Sequence, residues 1–149
     1  MTNKAKAFLE AYQGYLSKQK LKFTKQRLII AQEFFAAENH ISAEELFNSV
    51  KRRDQSIGLA SIYRTLNSLV HAGLAIERRF LDKTSRYEIH KPGSHHDHLI
   101  CMRCHKIFEF ENDEIENLQN VVANGLGFSL VDHRMELHGY CQRQNCPNL

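Results

Sequence analysis

GLASIYRTLNSLVHAG, running from Gly58 to Gly73, is the stretch whose reading decides the fold. Gly58 marks a turn, a helix follows from about Ala60 to Ala72, and Gly73 is placed as its C-terminal cap. Ile62, Leu66 and Leu69 recur at helical spacing and must face a core. Ser61, Arg64, Asn67 and Ser68 lie away from that stripe. One face anchored and the other offering hydrogen-bond donors is what a helix in the DNA major groove requires. Arg64 can fork onto a guanine or hold a phosphate, and Tyr63 can meet a thymine methyl or a phosphate. Lys22, Lys25, Arg27, Arg78 and Arg79 can neutralise flanking backbone. Taken singly, each basic residue also reads as a solvated surface charge, and Tyr63 as half-buried packing. Their joint placement around one helix favours nucleic acid.

Upstream, the period stays helical. Phe8, Tyr12, Tyr15 and Leu16 form one amphipathic stripe, and Thr24 can cap a second helix carrying Leu28, Ile29, Phe34 and Phe35. Ser42, with Glu45 three residues on, is a capping box that opens a third helix burying Leu46, Phe47 and Val50. Downstream, the period changes to that of strands. Leu74 to Leu81 and Arg86 to Ile89 flank the polar turn Asp82-Lys83-Thr84-Ser85. Helices followed by such a hairpin make a winged helix-turn-helix domain over residues 1–90. Lys91-Pro92-Gly93-Ser94 breaks both periodicities and reads as a hinge, 91–94.

Residues 95–149 read as a small α/β domain, making the whole chain α+β. Strands from His95 to Ile100 and from Ile107 to Glu111 flank a turn at Cys101 to Cys104. Asp113 and Glu116 suggest a capping box for a helix reaching about Asn124, and Phe128 to Leu137 suggests a last strand. The two halves differ in charge. Residues 1–90 hold fifteen Lys/Arg against nine Asp/Glu, a net +6, and residues 91–149 hold five against eight, a net −3. A basic half suits phosphate and an acidic half suits cations. No apolar run approaches the roughly 18 residues of a membrane span, and the first nineteen residues lack a signal-peptide core, so a cytoplasmic protein is expected.

All four Cys and seven of the nine His lie from His90 onward. Cys101-x-x-Cys104 with Cys141-x4-Cys146 can supply four thiolates to a structural Zn(II), leaving no open position for water. A disulfide pair or a redox switch is the alternative, disfavoured in a reducing compartment. In His95-His96-Asp97-His98, a strand puts His96 and His98 on one face and His95 and Asp97 on the other. With a two-residue turn at Met102-Arg103, His96 falls opposite Glu109. His96, His98 and Glu109 then need further ligands, and Glu88 and His40 are candidates. His95 and Asp97 have Glu116 and His133 as candidate partners. Ordinary roles compete: a hydrogen-bonded core histidine for His133, a cap for Glu116, and surface positions for Glu88 and His40. Mixed imidazole and carboxylate ligands suit Fe(II), Mn(II), Co(II) or Zn(II).

Together these motifs resemble the ferric uptake regulator family. Gly58 to Asn67 with Ala72-Gly73 is similar to its recognition-helix signature, and His95 to Cys104 to its central metal motif. Leu21 to Thr24, Ser42 to Glu44 and Asp132-His133 fall in the expected order, so the resemblance spans about Leu21 to Cys146. It implies a homodimer, with a tetramer also open, in which a corepressor metal closes the domains onto a palindromic operator in double-stranded DNA. It implies a structural zinc at Cys101, Cys104, Cys141 and Cys146, and a regulatory site of His40, Glu88, His96, His98 and Glu109. It further implies an additional site of His95, Asp97, Glu116 and His133. Lys22 matches a minor-groove contact, and Tyr63 and Arg64 match operator-reading residues. Peroxide-sensing members carry Asp where this chain has Glu88 and Glu109, and zinc-sensing members bring Cys into a regulatory site. Both departures favour the iron sensor, with Fe(II) as the regulatory ion and Mn(II) or Zn(II) in its place, or a peroxide signal, as the alternative. A metalloenzyme or a metal-storage protein is a rival, but neither needs a basic recognition helix.

Overall fold

The computed structural model describes residues 2–37, 40–79, 84–90, 96–142 and 146, and the chain divides into two compact units, Met1–Pro92 and Gly93–Leu149. In the first, α1 (Asn3–Lys18), α2 (Lys25–Ala36), α3 (Ala43–Lys51) and α4 (Leu59–His71) precede the strands β2 (Ala75–Arg79) and β3 (Ser85–Ile89), with the short β1 (Ile41–Ser42) ahead of α3. The helices begin where short polar side chains satisfy free backbone amides. Thr24 accepts from Arg27 N at 3.3 Å, and Ser42 and Glu45 close the expected capping box at 3.1 and 2.7 Å. Gly73, at φ +68, ends α4 while Leu74 N reaches back to Leu69 O at 2.9 Å, the bond that closes a left-handed helix end.

The apolar stripes meet in one core, in which Tyr12, Leu16, Ile30, Phe34, Leu46, Ile62, Leu66 and Leu69 are sealed from solvent. That burial holds α4 against α2 and α3 and leaves its polar face outward. Ser42→Ala removes the acceptor for Glu45 N. It is expected to cost about 1 kcal/mol and roughly 5 °C in the melting temperature of this unit, read by thermal unfolding followed by circular dichroism.

The wing is a three-stranded antiparallel sheet of order β1-β3-β2, one strand more than the sequence pattern suggests. Two residues, Ile41 and Ser42, are too few to display a period of two. Asp82 and Lys83 of the expected turn, and the hinge 91–94, lie outside the described residues.

In the second unit β4 (Asp97–Cys101) is central, antiparallel to β5 (Ile107–Phe110) and parallel to β6 (Glu136–Gly139), with α5 (Asp113–Gly125) between β5 and β6 in sequence. Three expectations are corrected. The β4–β5 register pairs His98, not His96, with Glu109, because the turn is longer: Cys101 N bonds Lys106 O, and His105 adopts φ +58. A slip of two residues keeps every side chain on its expected face. The cap of α5 is Asn112, whose side chain accepts from Glu114 N and Ile115 N at 3.0 and 3.1 Å, so Asp113 and Glu116 form no capping box. The last strand is four residues long rather than ten. Parallel pairing with β4 requires a crossover, and after Gly127 (φ +83) residues 128–135 serve as its return path.

Candidate metal centres and the DNA-facing helix

Cys101 ends β4, Cys104 lies in the β4–β5 connection, Cys141 follows β6, and Cys146 lies on the tail. Their four Sγ atoms lie within 4.8 Å of one another. A tetrahedral zinc with bonds near 2.3 Å separates its sulfurs by about 3.8 Å, so the donors fit that ion. The electrostatics agree. Backbone amides of Cys104 and Cys141 donate to Cys101 and hold its thiol down to about 5, while hydrogen bonding to Cys101 pushes Cys141 up to about 12. Four crowded thiols cannot all ionise without a cation among them, and Zn(II) supplies it.

The opposite faces of β4 separate the remaining candidate ligands into two groups. On one face His98 is buried, His96 stacks edge-on to it with ring centroids 5.0 Å apart, and His96 Nε2 lies 3.9 Å from Glu109 Oε1. On the other, Asp97 is buried and joins Glu116 of α5 and His133 of the return segment. His133 Nε2 stands 3.2 Å from Glu116 Oε1 and 3.5 Å from Asp97 Oδ1. Two carboxylates converging on one imidazole nitrogen at those lengths suit a divalent cation between them. His95, expected beside Asp97, lies outside the described residues.

In the first unit, His40 and Glu88 are brought together by the sheet. Ile41 pairs with Tyr87, so the next step of the register sets His40 beside Glu88, and Nε2 meets Oε2 at 2.8 Å with both side chains buried. Arg78 Nε meets the other oxygen, Oε1, at 2.6 Å. Burial alone would raise this carboxyl, but hydrogen bonds from His40 and Arg78 outweigh it and hold Glu88 far below the usual carboxylate range. The sequence offers Arg78 only as a phosphate contact; its carboxylate partner is not visible in local sequence, since the pair forms diagonally across two strands.

The candidate DNA contacts are placed by α4 and by the α1–α2 connection. Tyr63, Arg64 and Asn67 are exposed, and Arg64 Nη2 donates to Ser61 Oγ at 3.2 Å. Tyr63 donates its hydroxyl to Glu44 Oε1 of α3 at 2.8 Å, a partner that sequence reasoning missed. Ser68 differs from expectation: its hydroxyl is sealed from solvent and does not face outward with Arg64. Lys22 is exposed, and its carbonyl accepts from Arg27 Nη1 at 2.7 Å, which steadies the loop that carries it.

Comparison with known proteins agrees with this fold. The sequence profile of the ferric uptake regulator family matches residues 18–138. The chain is similar to a ferric uptake regulation protein of Campylobacter jejuni, 39% identical over 136 residues, covering 89% of this chain and 85% of that one. It also resembles the solved ferric uptake regulator of Helicobacter pylori, described as having three functional metal binding sites. That match has a TM-score of 0.85 and 34% identity, covering 93% of this chain and 91% of the other. A zinc-bound manganese uptake regulator matches with a TM-score of 0.74 and 37% identity, over 88% and 98% of the two chains.

Proposed function

We infer that this chain, which belongs to the ferric uptake regulator family, is a metal-dependent transcriptional repressor of metal-uptake genes that takes Fe(II) as its signal. In this reading Fe(II) is ligated by His40 and Glu88 of the winged-helix unit with His96, His98 and Glu109 of the second unit. Zn(II) at Cys101, Cys104, Cys141 and Cys146 is structural, and Asp97, Glu116 and His133, with His95, hold a further ion. Lys22 enters a minor groove while Ser61, Tyr63, Arg64 and Asn67 read the adjoining major groove. The working form is a cytoplasmic dimer on a palindromic operator. No catalysis is assigned to it, and among the described residues no helix is long and apolar enough to cross a membrane.

The observation that carries the reading is the buried His40–Glu88 pair, built into the same unit as the outward-facing α4. An ion captured there alters the unit that meets DNA. Dimerisation has its own support. No residue of α5 is buried within the single chain, and Leu118, Val122, Leu126 and Phe128 are exposed, the last two by 71% and 70%. An apolar groove lined by Ile115, Leu118, Val122, Leu130 and Met135 runs beside them. Apolar surface of this extent is stable in water when a second copy covers it.

The test is anisotropy of a labelled palindromic duplex titrated with the zinc-loaded protein, with and without Fe(II) under anaerobic conditions. Metal is expected to tighten binding about 100-fold, at the upper range of ordinary allosteric coupling. Equal affinity with and without metal overturns the reading.

A further inference from the structure

We propose, on the reading of Glu88 as a ligand of the regulatory ion, that Arg78 is the residue that converts ion capture into DNA affinity within the winged-helix unit. Arg78 holds the Glu88 carboxylate while the site lacks metal; a divalent cation displaces it, and the freed guanidinium then binds a DNA phosphate.

The placement follows from strand register. Glu88 lies on β3, the central strand, directly opposite Ile76 of β2, and Arg78 stands two residues further along β2, directly opposite Arg86. Opposed residues and those two apart share a sheet face, so His40, Glu88, Arg78 and Arg86 lie together on one side of the wing. Opposed like charges are unfavourable. Here each has its own carboxylate: Arg78 meets Glu88 at 2.6 Å, and Arg86 meets Glu45 at 3.4 Å.

A dication that takes both Glu88 oxygens, Oε1 from Arg78 and Oε2 from His40, removes that balance. Arg78 loses its counter-charge, gains two positive charges beside it, and still faces Arg86 across the strands. Because β2 is an outer strand of the sheet and the Arg78 side chain is already 21% exposed, its way out is toward solvent. Arg79, next to it, is exposed but lies on the opposite face, 3.8 Å from Glu77, so the freed group adds a new cation to the face it shares with Arg86. A guanidinium presents a planar fork of donors that matches phosphate as well as it matches carboxylate. Metal capture therefore makes the wing more basic without any change in sequence charge.

The experiment uses the full-length, zinc-loaded protein, with Mn(II) as a redox-stable probe, and compares wild type with Arg78→Gln and Arg78→Lys. Calorimetry reads Mn(II) affinity, and anisotropy against salt reads DNA binding with and without Mn(II). Arg78→Gln, which removes the competing cation, is expected to bind Mn(II) about tenfold more tightly. Its metal-free DNA affinity should match wild type. Its Mn(II)-loaded DNA affinity should fall several-fold, with a salt slope shallower by about one counterion. Arg78→Lys should restore the loaded DNA affinity and salt slope, because it keeps the charge, yet still bind Mn(II) more tightly than wild type, because a point charge holds a carboxylate less firmly than a fork. If wild type responds to Mn(II) but Arg78→Gln binds the ion no more tightly, Arg78 does not compete for Glu88 and the coupling is wrong. If Arg78→Gln loses DNA affinity equally with and without metal, Arg78 is a constitutive phosphate contact and the coupling is again wrong. If wild type itself shows no Mn(II)-dependent gain, the regulatory reading of Glu88 fails and takes the coupling with it.

Discussion

Cys101→Ser protein is expected to lose zinc and dimer together, while the winged-helix unit stays folded. The reason is where each unit draws its stability. The first has a broad apolar core reaching from Phe8 to Tyr87. In the second, the described buried apolar residues are Ile100, Cys101 and Cys146, two of them members of the four-cysteine cluster, and α5 buries nothing within the single chain. A structural zinc contributes on the order of 10 kcal/mol or more, which exceeds anything that so small a core supplies. Serine cannot replace a thiolate donor, so the connection between β4–β5 and the tail is released. Sedimentation should show monomer, metal analysis should show zinc lost, and amide exchange should show protection retained in residues 2–79 but lost in 96–142. A stable zinc-free dimer of this variant would remove the structural role from the four cysteines.

His98→Ala is expected to abolish the metal-induced gain in DNA affinity, about 100-fold or near 2.7 kcal/mol, while zinc content and the dimer persist. His98 is sealed from solvent on β4, the central strand, where its backbone ladder to β5 and β6 does not depend on the side chain. Truncation removes one imidazole donor and the edge-on contact with His96, and leaves the cysteine cluster untouched. Metal-free DNA binding should therefore be unchanged, and only the response to Fe(II) or Mn(II) should vanish. Retention of a full metal response by a folded His98→Ala dimer would exclude His98 from the regulatory site.

Features carried by contiguous residues were legible before any coordinates. The stripe Ile62-Leu66-Leu69, the Ser42–Glu45 capping box, the glycine end of α4 and the Cys-x-x-Cys turn each depend on neighbours within a few positions, where helical and strand periods apply. The alternation in His96-Asp97-His98 puts His96 and His98 on one face and Asp97 on the other, and the two-residue slip in the β4–β5 register left those faces unchanged. Local reading failed where length or distance intervened. The cap of α5 fell one residue earlier, on Asn112, since Asp, Asn and Ser compete for that role and only the backbone turn selects one. The last strand shrank because a parallel partner requires a crossover that local hydrophobicity does not reveal.

From the order of its residues alone, this chain was determined to begin with a capped helical unit and a wing and to gather its cysteines and most of its histidines after it, since period and caps act through bonded neighbours. Only the tertiary structure decided which groups share a charge. It set Arg78 rather than solvent on Glu88, gave Tyr63 a carboxylate partner in Glu44, turned the Ser68 hydroxyl inward and gathered Asp97, Glu116 and His133 from three separate segments. Those pairings arise from strand register and helix docking, which bring residues 10 to 36 positions apart within a few ångströms, and no local pattern encodes the distance between them.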